Sequence, residues 1–484
     1  MNMPKAKFFL PLTSLLAGVC LAPMASAQVN NGIGAVKQIY QENCAACHGE
    51  NLKGAIGPSL LDEVWIHGNS NKQITHSIAQ GYPEKEMPGF AEILSDDEIR
   101  SLVIYMAEEK SLAEKSSETK TQVSPDHVYS SQYANFKLEP VIKTKGEIWS
   151  MEFLPDGSFF ATELKGKLLQ ISKDGKAKSV KKIPKVWAKG QGGLLDVKLH
   201  PNYAENGWVY LSMAVKAGKN SAGSDIGMTQ IVRGRVIDGC WEDQEILFQF
   251  KPEHATAPNH HFGSRIEFFD GYLYFSVGER GDQDKAQLLD WPHGKIHRLH
   301  DDGRVPEDNP FVDVEGAYPS IWSYGHRNPQ GMTVGGPDGA LYTTEHGPRG
   351  GDELNRPERG KNYGWPVITY GMNYDGTAVT ALTAKDGMEQ PLHYWVPSIA
   401  TAGLTSVESE DFADWNGDLL AAGLQSEELH RLRVDGSRVV EDEILFKGLG
   451  RIRDVIQGAD GHIYAVVNEE RRGPSVVYRL LPVD

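Results

Sequence analysis

The sequence predicts a multidomain protein: a small all-α domain followed by an all-β, six-bladed β-propeller. Three observations predict it. Amphipathic helical patterns occupy the N-terminal part, a charged stretch poor in core residues follows, and an Asp-Gly or Asn-Gly turn leading into alternating apolar residues then recurs six times. At 484 residues the chain is too long for one small core. A formal charge of −16, with no long basic run, argues against nucleic acid and anionic membrane surfaces as partners.

Residues 1–27 read as an export signal. Lys5 and Lys7 form its positive region, Phe8 to Met24 is mostly apolar, and Ala25-Ser26-Ala27 offers a small-x-small cleavage site. The apolar run is too short and too interrupted by proline for a good transmembrane helix, and no other stretch could span a membrane. Val19 sits where lipidation of Cys20 would want a small residue. Cleavage removes two lysines, moving the formal charge from −16 to −18, and delivers the protein to the periplasm. Cys44, Cys47 and Cys240 remain, which excludes a disulfide framework, and Cys240 reads as a partly buried free thiol.

The helical domain covers residues 32 to 110. Cys44-Ala45-Ala46-Cys47-His48 fits C-x-x-C-H, so Cys44 and Cys47 would form thioethers to one covalent haem c and His48 would ligate its iron. A zinc site would want a second ligand pair, and none follows at a compatible spacing. A redox C-x-x-C does not need the His. Met87, in Met87-Pro88-Gly89-Phe90, is the expected second axial ligand, a thioether that raises the potential and suits electron transfer. Met106 is its nearby rival. It sits with Ile99, Leu102 and Val103 on one face of a helix expected from Ser95 to Glu108, opened by a Ser95/Glu98 capping box, where core packing accounts for it. A first helix is expected at about Gly34 to Asn43. This order resembles class I cytochrome c. Residues 111–132, in a run rich in charge, Ser and Thr, are expected to be a flexible linker.

The propeller is expected over residues 133–484. Its turns are Asp156-Gly157, Asn206-Gly207, Asp270-Gly271, Asp338-Gly339, Asn416-Gly417 and Asp460-Gly461. Both residue types of each pair tolerate positive φ, which hairpins need. Spacings of 50, 64, 68, 78 and 44 residues suit four-stranded blades with loop insertions. The innermost strand of each blade should run into its turn, so residues just ahead of those strands meet at one end of the central channel. Gln191, His261, Arg327-Asn328 and Arg451 with Arg453 stand there, the first member of each preceding its turn by 15, 9, 11 and 9 residues. A His, amides and several Arg converging on one mouth suit a base and an anionic ligand.

Long strings in this part resemble the soluble pyrroloquinoline quinone (PQQ)-dependent aldose sugar dehydrogenases, which are six-bladed propellers. They are Gly190-Gln191-Gly192-Gly193-Leu194-Leu195, His261-Phe262-Gly263-Ser264-Arg265, Tyr324-Gly325-His326-Arg327-Asn328-Pro329-Gln330-Gly331, Glu345 to Glu353, Lys361-Asn362-Tyr363-Gly364-Trp365-Pro366 and Arg451-Ile452-Arg453-Asp454-Val455. The resemblance implies that His261 is the general base for the anomeric hydroxyl of an aldose, with hydride passing from C1 to C5 of PQQ. It implies that Arg327 and Asn328 polarise the C5 carbonyl, Gln191 contacts the cofactor near the reacting centre, and Arg451 and Arg453 pair with its carboxylates. The Gly347 and Pro348 carbonyls would hold a calcium ion against the quinone, and a structural calcium would sit at the Glu353 side chain and the Tyr363 carbonyl. The chain departs from the pattern at Gln425, where many members carry a cofactor-facing Lys.

The combined expectation is a periplasmic quinohaemoprotein that oxidises aldoses to lactones. Electrons would leave one at a time through the haem to an external acceptor: a soluble cytochrome, a copper protein or the quinone pool. An aldehyde, sorbosone-like or alcohol substrate is the alternative within the enzyme class. A haem carrier whose propeller only binds a sugar or a partner is the alternative outside it.

Overall fold

The computed structural model describes Met1, residues 34–117 and residues 126–483. The expected export signal and Cys20 lie outside the described residues.

The N-terminal domain holds four α-helices: α1 (Gly34–Asn43), α2 (Ala45–His48), α3 (Asn71–Gln80) and α4 (Asp96–Ser117). Helix α1 occupies the expected span. At the start of α4 the Glu98 carboxylate accepts from both the backbone N (2.8 Å) and the Oγ (2.9 Å) of Ser95, which occupies orphan donors of the first turn. The α4 stripe of Ile99, Leu102, Val103 and Met106 is buried against Val36 and Tyr40 of α1 and Ile78 of α3. Met106 is therefore a core residue. Helix α4 runs on to Ser117, past the expected start of the linker at residue 111. Leu112, Ala113, Glu114 and Lys115 are strong helix formers, and their propensity outweighs the charge of the stretch.

Six sheets form the propeller. The inner strands are Ile148–Phe153, Leu194–Leu199, Ile266–Phe269, Pro329–Gly335, Thr401–Ser406 and Arg451–Gln457. Each pairs antiparallel with the strand beyond its turn, as the turn pattern requires. The sixth blade is shared by the two ends of the propeller. Asn135–Thr144 pairs antiparallel with Ser475–Val483, setting Leu138 opposite Leu480, and Tyr129–Ser130 adds a short outer strand. This closes the ring without an exposed edge between first and last blades.

The central channel is held by buried charge. Arg265 Nη1 lies 3.2 Å from Asp196 Oδ1 and 3.2 Å from Asp454 Oδ1, which joins the second, third and sixth blades. Asp196 also accepts from Ser150 Oγ of the first blade and from the backbone N of Ile266. Cys240 is a half-buried free thiol. No helix of the described residues is long and apolar enough to cross a membrane.

Candidate active site

In every blade the inner strand starts, and the second strand ends, at the same end of the propeller. The residues expected at the mouth are therefore brought together by topology. His261 stands just ahead of the third inner strand at φ 54°, a left-handed backbone that only surrounding contacts can hold in a non-glycine residue. Those contacts are visible. Its backbone N donates to Gln191 Oε1 at 2.7 Å, and the neighbouring Gly263 N donates to Asn328 Oδ1 at 3.0 Å. Its Nδ1 is hydrogen-bonded to Glu279 Oε1. With the proton on Nδ1 facing that carboxylate, Nε2 keeps its lone pair. Burial, and then the charges of Arg327, His260 and Arg280, hold the His261 imidazole well below its ordinary value, which favours the neutral ring. Burial pushes the Glu279 carboxyl upward.

Arg327 is fixed by its backbone, whose N donates to Glu345 Oε2 at 2.6 Å and whose carbonyl accepts from Glu279 N at 2.8 Å. Its Nη1 donates to the carbonyls of His346 (3.2 Å) and Gly347 (2.6 Å). Arg453 is buried, donates to Gln330 Oε1 at 3.1 Å and lies 3.5 Å from Glu147. Burial lowers its guanidinium to about 10. Arg451 donates to the Leu424 carbonyl at 3.2 Å and is also lowered, chiefly by burial. His346 ties the group together: burial, then Arg327, His261, Arg453 and Arg451, press its imidazole well below the ordinary value. Arg327, His261, Arg453 and Arg451 thus all lie close enough to His346 to act on it.

The fit to a polyanionic quinone rests on unused donors. The Nε atoms of Arg327, Arg451 and Arg453 are all buried without a hydrogen-bond partner. Such a cluster is costly unless an anion arrives. The fit to calcium is poorer at the first expected place, because the Gly347 carbonyl is already taken by Arg327. At the second place Glu353 faces Glu345 across paired strands, and burial, then Glu345, push its carboxyl up to about 8. Two adjacent carboxylates sharing Asn355 Nδ2 at 2.9 and 3.0 Å are a setting in which a cation relieves repulsion. The Tyr363 ring stacks at 4.7 Å on His326, whose Nδ1 lies 2.9 Å from Glu345. No cluster of three or more His, Cys, Asp or Glu suited to a metal occurs among the described residues.

On the haem side, Cys44 and Cys47 flank the first residues of α2 as free thiols, and His48 ends that helix. His48 Nδ1 is 2.9 Å from the Pro58 carbonyl, which leaves Nε2 for a metal. Met87 exchanges backbone hydrogen bonds with Tyr82 (2.8 and 3.2 Å) beyond the 3₁₀ turn Pro83–Lys85. Trp65 Nε1 is buried without a partner. A thiol pair, an oriented imidazole and an unused indole donor fit a haem.

The sequence reading missed Glu279 and Glu345, which orient His261 and Arg327. Glu279 lies just beyond the second strand of the third blade, Tyr272–Val277, at the mouth, and that position was the available signal.

A propeller whose mouth gathers an oriented imidazole, amides and guanidinium groups with unused donors, joined to a C-x-x-C-H helical domain, defines a redox enzyme with a haem module. Residues 146–477 match the family model Glucose / Sorbosone dehydrogenase, and residues 32–106 match Cytochrome C oxidase, cbb3-type, subunit III. The chain belongs to the glucose/sorbosone dehydrogenase family, as a sugar dehydrogenase with an N-terminal cytochrome c domain. It is 39% identical over 327 residues to aldose sugar dehydrogenase YliI of Escherichia coli (strain K12), covering 66% of this chain and 87% of that protein. The cytochrome part is 35% identical over 77 residues to the cbb3-type cytochrome c oxidase subunit CcoP of Azospirillum brasilense, spanning 14% of this chain and only 26% of that relative. Among solved structures, the soluble aldose sugar dehydrogenase of Escherichia coli in the apo-form matches at 36% identity and TM-score 0.67, covering 72% of this chain and all (100%) of that one. The PQQ-bound aldose sugar dehydrogenase of Streptomyces coelicolor matches at 26% identity and TM-score 0.58, covering 72% and 98%.

Proposed function

We propose that this protein is a periplasmic quinohaemoprotein. It oxidises the C1 hydroxyl of aldose sugars to lactones at the propeller mouth and passes the electrons through one covalent haem c to an external acceptor. The observation that carries this reading is His261, oriented by Gln191 and Glu279 beside guanidinium groups with unused donors.

The roles follow from that geometry. Glu279 holds the proton of His261 on Nδ1, and Nε2 takes the proton of the anomeric hydroxyl. Gln191 fixes the backbone that aims the ring. Arg327 presents positive charge at the same point and, after burial, is the next cause that favours neutral His261. Arg451 and Arg453 bind carboxylates with their unused donors, and Asn328 braces the loop through Gly263. Bound there, PQQ supplies the hydride acceptor, and haem c supplies the single-electron exit. Each lactone formed releases two electrons, so the haem must be emptied twice per sugar by a soluble cytochrome, a copper protein or the quinone pool. Cys44 and Cys47 would hold the haem through thioethers, and His48 and Met87 would ligate its iron. Glu353 with the Tyr363 carbonyl is the better of the two expected calcium places. Gly347 and Pro348 serve only if Arg327 releases the first carbonyl.

The test is anaerobic mixing of PQQ-loaded protein with a panel of aldoses and aldehydes while the haem spectrum is followed. Haem reduction by aldoses is expected. Reduction only by sorbosone-like aldehydes moves the substrate class, and no reduction by any compound, with PQQ bound, refutes the reading.

A further inference from the structure

The haem domain rests against the propeller mouth through a small set of specific contacts. Glu108, on the outer half of α4, meets Arg349 with both carboxylate oxygens: Arg349 Nε lies 3.0 Å from Oε1 and 2.8 Å from Oε2, and Nη2 donates to Oε2 as well. The two side chains are only 19% and 12% exposed, so this pair is largely desolvated. Arg349 directly follows Gly347 and Pro348 at the mouth. Its loop is sewn by two 2.9 Å backbone hydrogen bonds to Met372, and Met372 is fully buried in the core of the haem domain. Gly350, at φ 73°, passes so close to α4 that an added Cβ would stand 3.2 Å from Ile104. Arg100 donates to the carbonyls of Thr380 and Ala381, and Lys115 donates to the carbonyl of Gln425. One cavity of about 850 Å³ runs between the domains, lined by Leu60, Trp65 and Ile74 on the haem side and by His346, Gly347 and Gln425 on the mouth side.

We propose that Glu108 is a positioning residue that seats the haem domain on the Arg349 loop, so that the haem receives electrons from a docked mouth and not by chance encounter. This rests on the reading that electrons leave the mouth through the haem. A bidentate, mostly buried pair gives the docked pose a defined angle as well as affinity. Because Arg349 shares its loop with mouth residues, the clasp ties the haem domain to the element that must face the quinone. Lys115 adds a cation from the haem domain beside the loop of Gln425.

The experiment uses full-length protein with haem attached. Three forms are compared: Glu108→Arg, Glu108→Gln, and Glu108→Arg combined with Arg349→Glu. Small-angle X-ray scattering without PQQ reads domain docking. With PQQ bound, sugar-driven haem reduction is timed, and sugar-driven reduction of a small phenazine-type dye is measured in parallel. The clasp predicts that Glu108→Arg expands the particle and slows haem reduction roughly tenfold or more, with dye reduction unchanged. Glu108→Gln does so less, and the charge-swapped pair restores both readouts. An unexpanded Glu108→Arg protein, or haem reduction at the wild-type rate in an expanded one, overturns the proposal. Failure of the wild-type protein to reduce either haem or dye instead refutes the sugar dehydrogenase reading itself.

Discussion

In the proposed mechanism His261 can act as the base only because its surroundings override its ordinary behaviour. A positive φ of 54° and an imidazole pressed below its usual value are both imposed by neighbours. His261→Ala should spare PQQ binding and lower kcat by about 10²–10⁴-fold, the usual contribution of a positioned base. Equal turnover in the mutant would remove His261 from the role. The base must be unprotonated, so activity falls only as pH drops through its lowered pKa. The acidic limb of kcat/KM should therefore lie below 6.5, the value of an unperturbed imidazole, and a midpoint above it would contradict the burial-driven shift. His261, Arg327 and Arg451 could be singled out in the sequence because each stands 9 to 11 residues ahead of a turn. Glu279 could not. A single carboxylate after a strand has no spacing of its own, and its meeting with His261 depends on two loops folding toward each other.

Strands and helices differ in how much local sequence determines them. All six Asp-Gly or Asn-Gly turns join an inner strand to its neighbour, yet only Asp270-Gly271 places both residues at positive φ (49° and 76°). At Asn206-Gly207 a one-turn helix, Tyr203–Asn206, is inserted ahead of the glycine. The turn residues mark the reversal without fixing its type. Helix α4 outruns the expected linker start because the helix propensity of Leu112 to Lys115 outweighs the charge and serine of the stretch. The inner strands hide a third feature, the buried Arg265 between Asp196 and Asp454, since partners contributed by three blades share no local pattern. Arg265→Met should strand both carboxylates and cost about 3–5 kcal/mol. Urea unfolding would measure this, and a loss within experimental error would show that the channel network is not needed for stability.

At the scale of the whole molecule, the fourth blade packs on the fifth where the Trp395 ring meets His430, 6.0 Å between centroids. Burial opposes charge on His430, but Asp442 at 2.6 Å and Glu428 at 3.3 Å prevail and raise it to about 9. A raised value stabilises the folded state fully below the unfolded value near 6.5, and that contribution is lost as pH rises through about 9. The thermal midpoint should fall across that interval and fall less in His430→Gln. An identical decline in both proteins would exclude His430 as the cause. The propeller and the haem motif were legible because each repeats or carries a dense signature. The way they sit together was not, since Glu108 and Arg349 lie far apart in sequence and neither belongs to a motif.

The shared sixth blade has one further consequence. Its N-terminal strands begin at Tyr129, and α4 ends at Ser117, so the leash between the domains is anchored to the ring at one end and to the haem domain at the other. Fully stretched, that span reaches about 40 Å. A haem domain that lets go of Arg349 therefore remains confined near the mouth, at an effective local concentration on the order of millimolar. On the proposed electron route, release to meet an outside acceptor and return for the second electron would alternate without the module being lost to bulk solution.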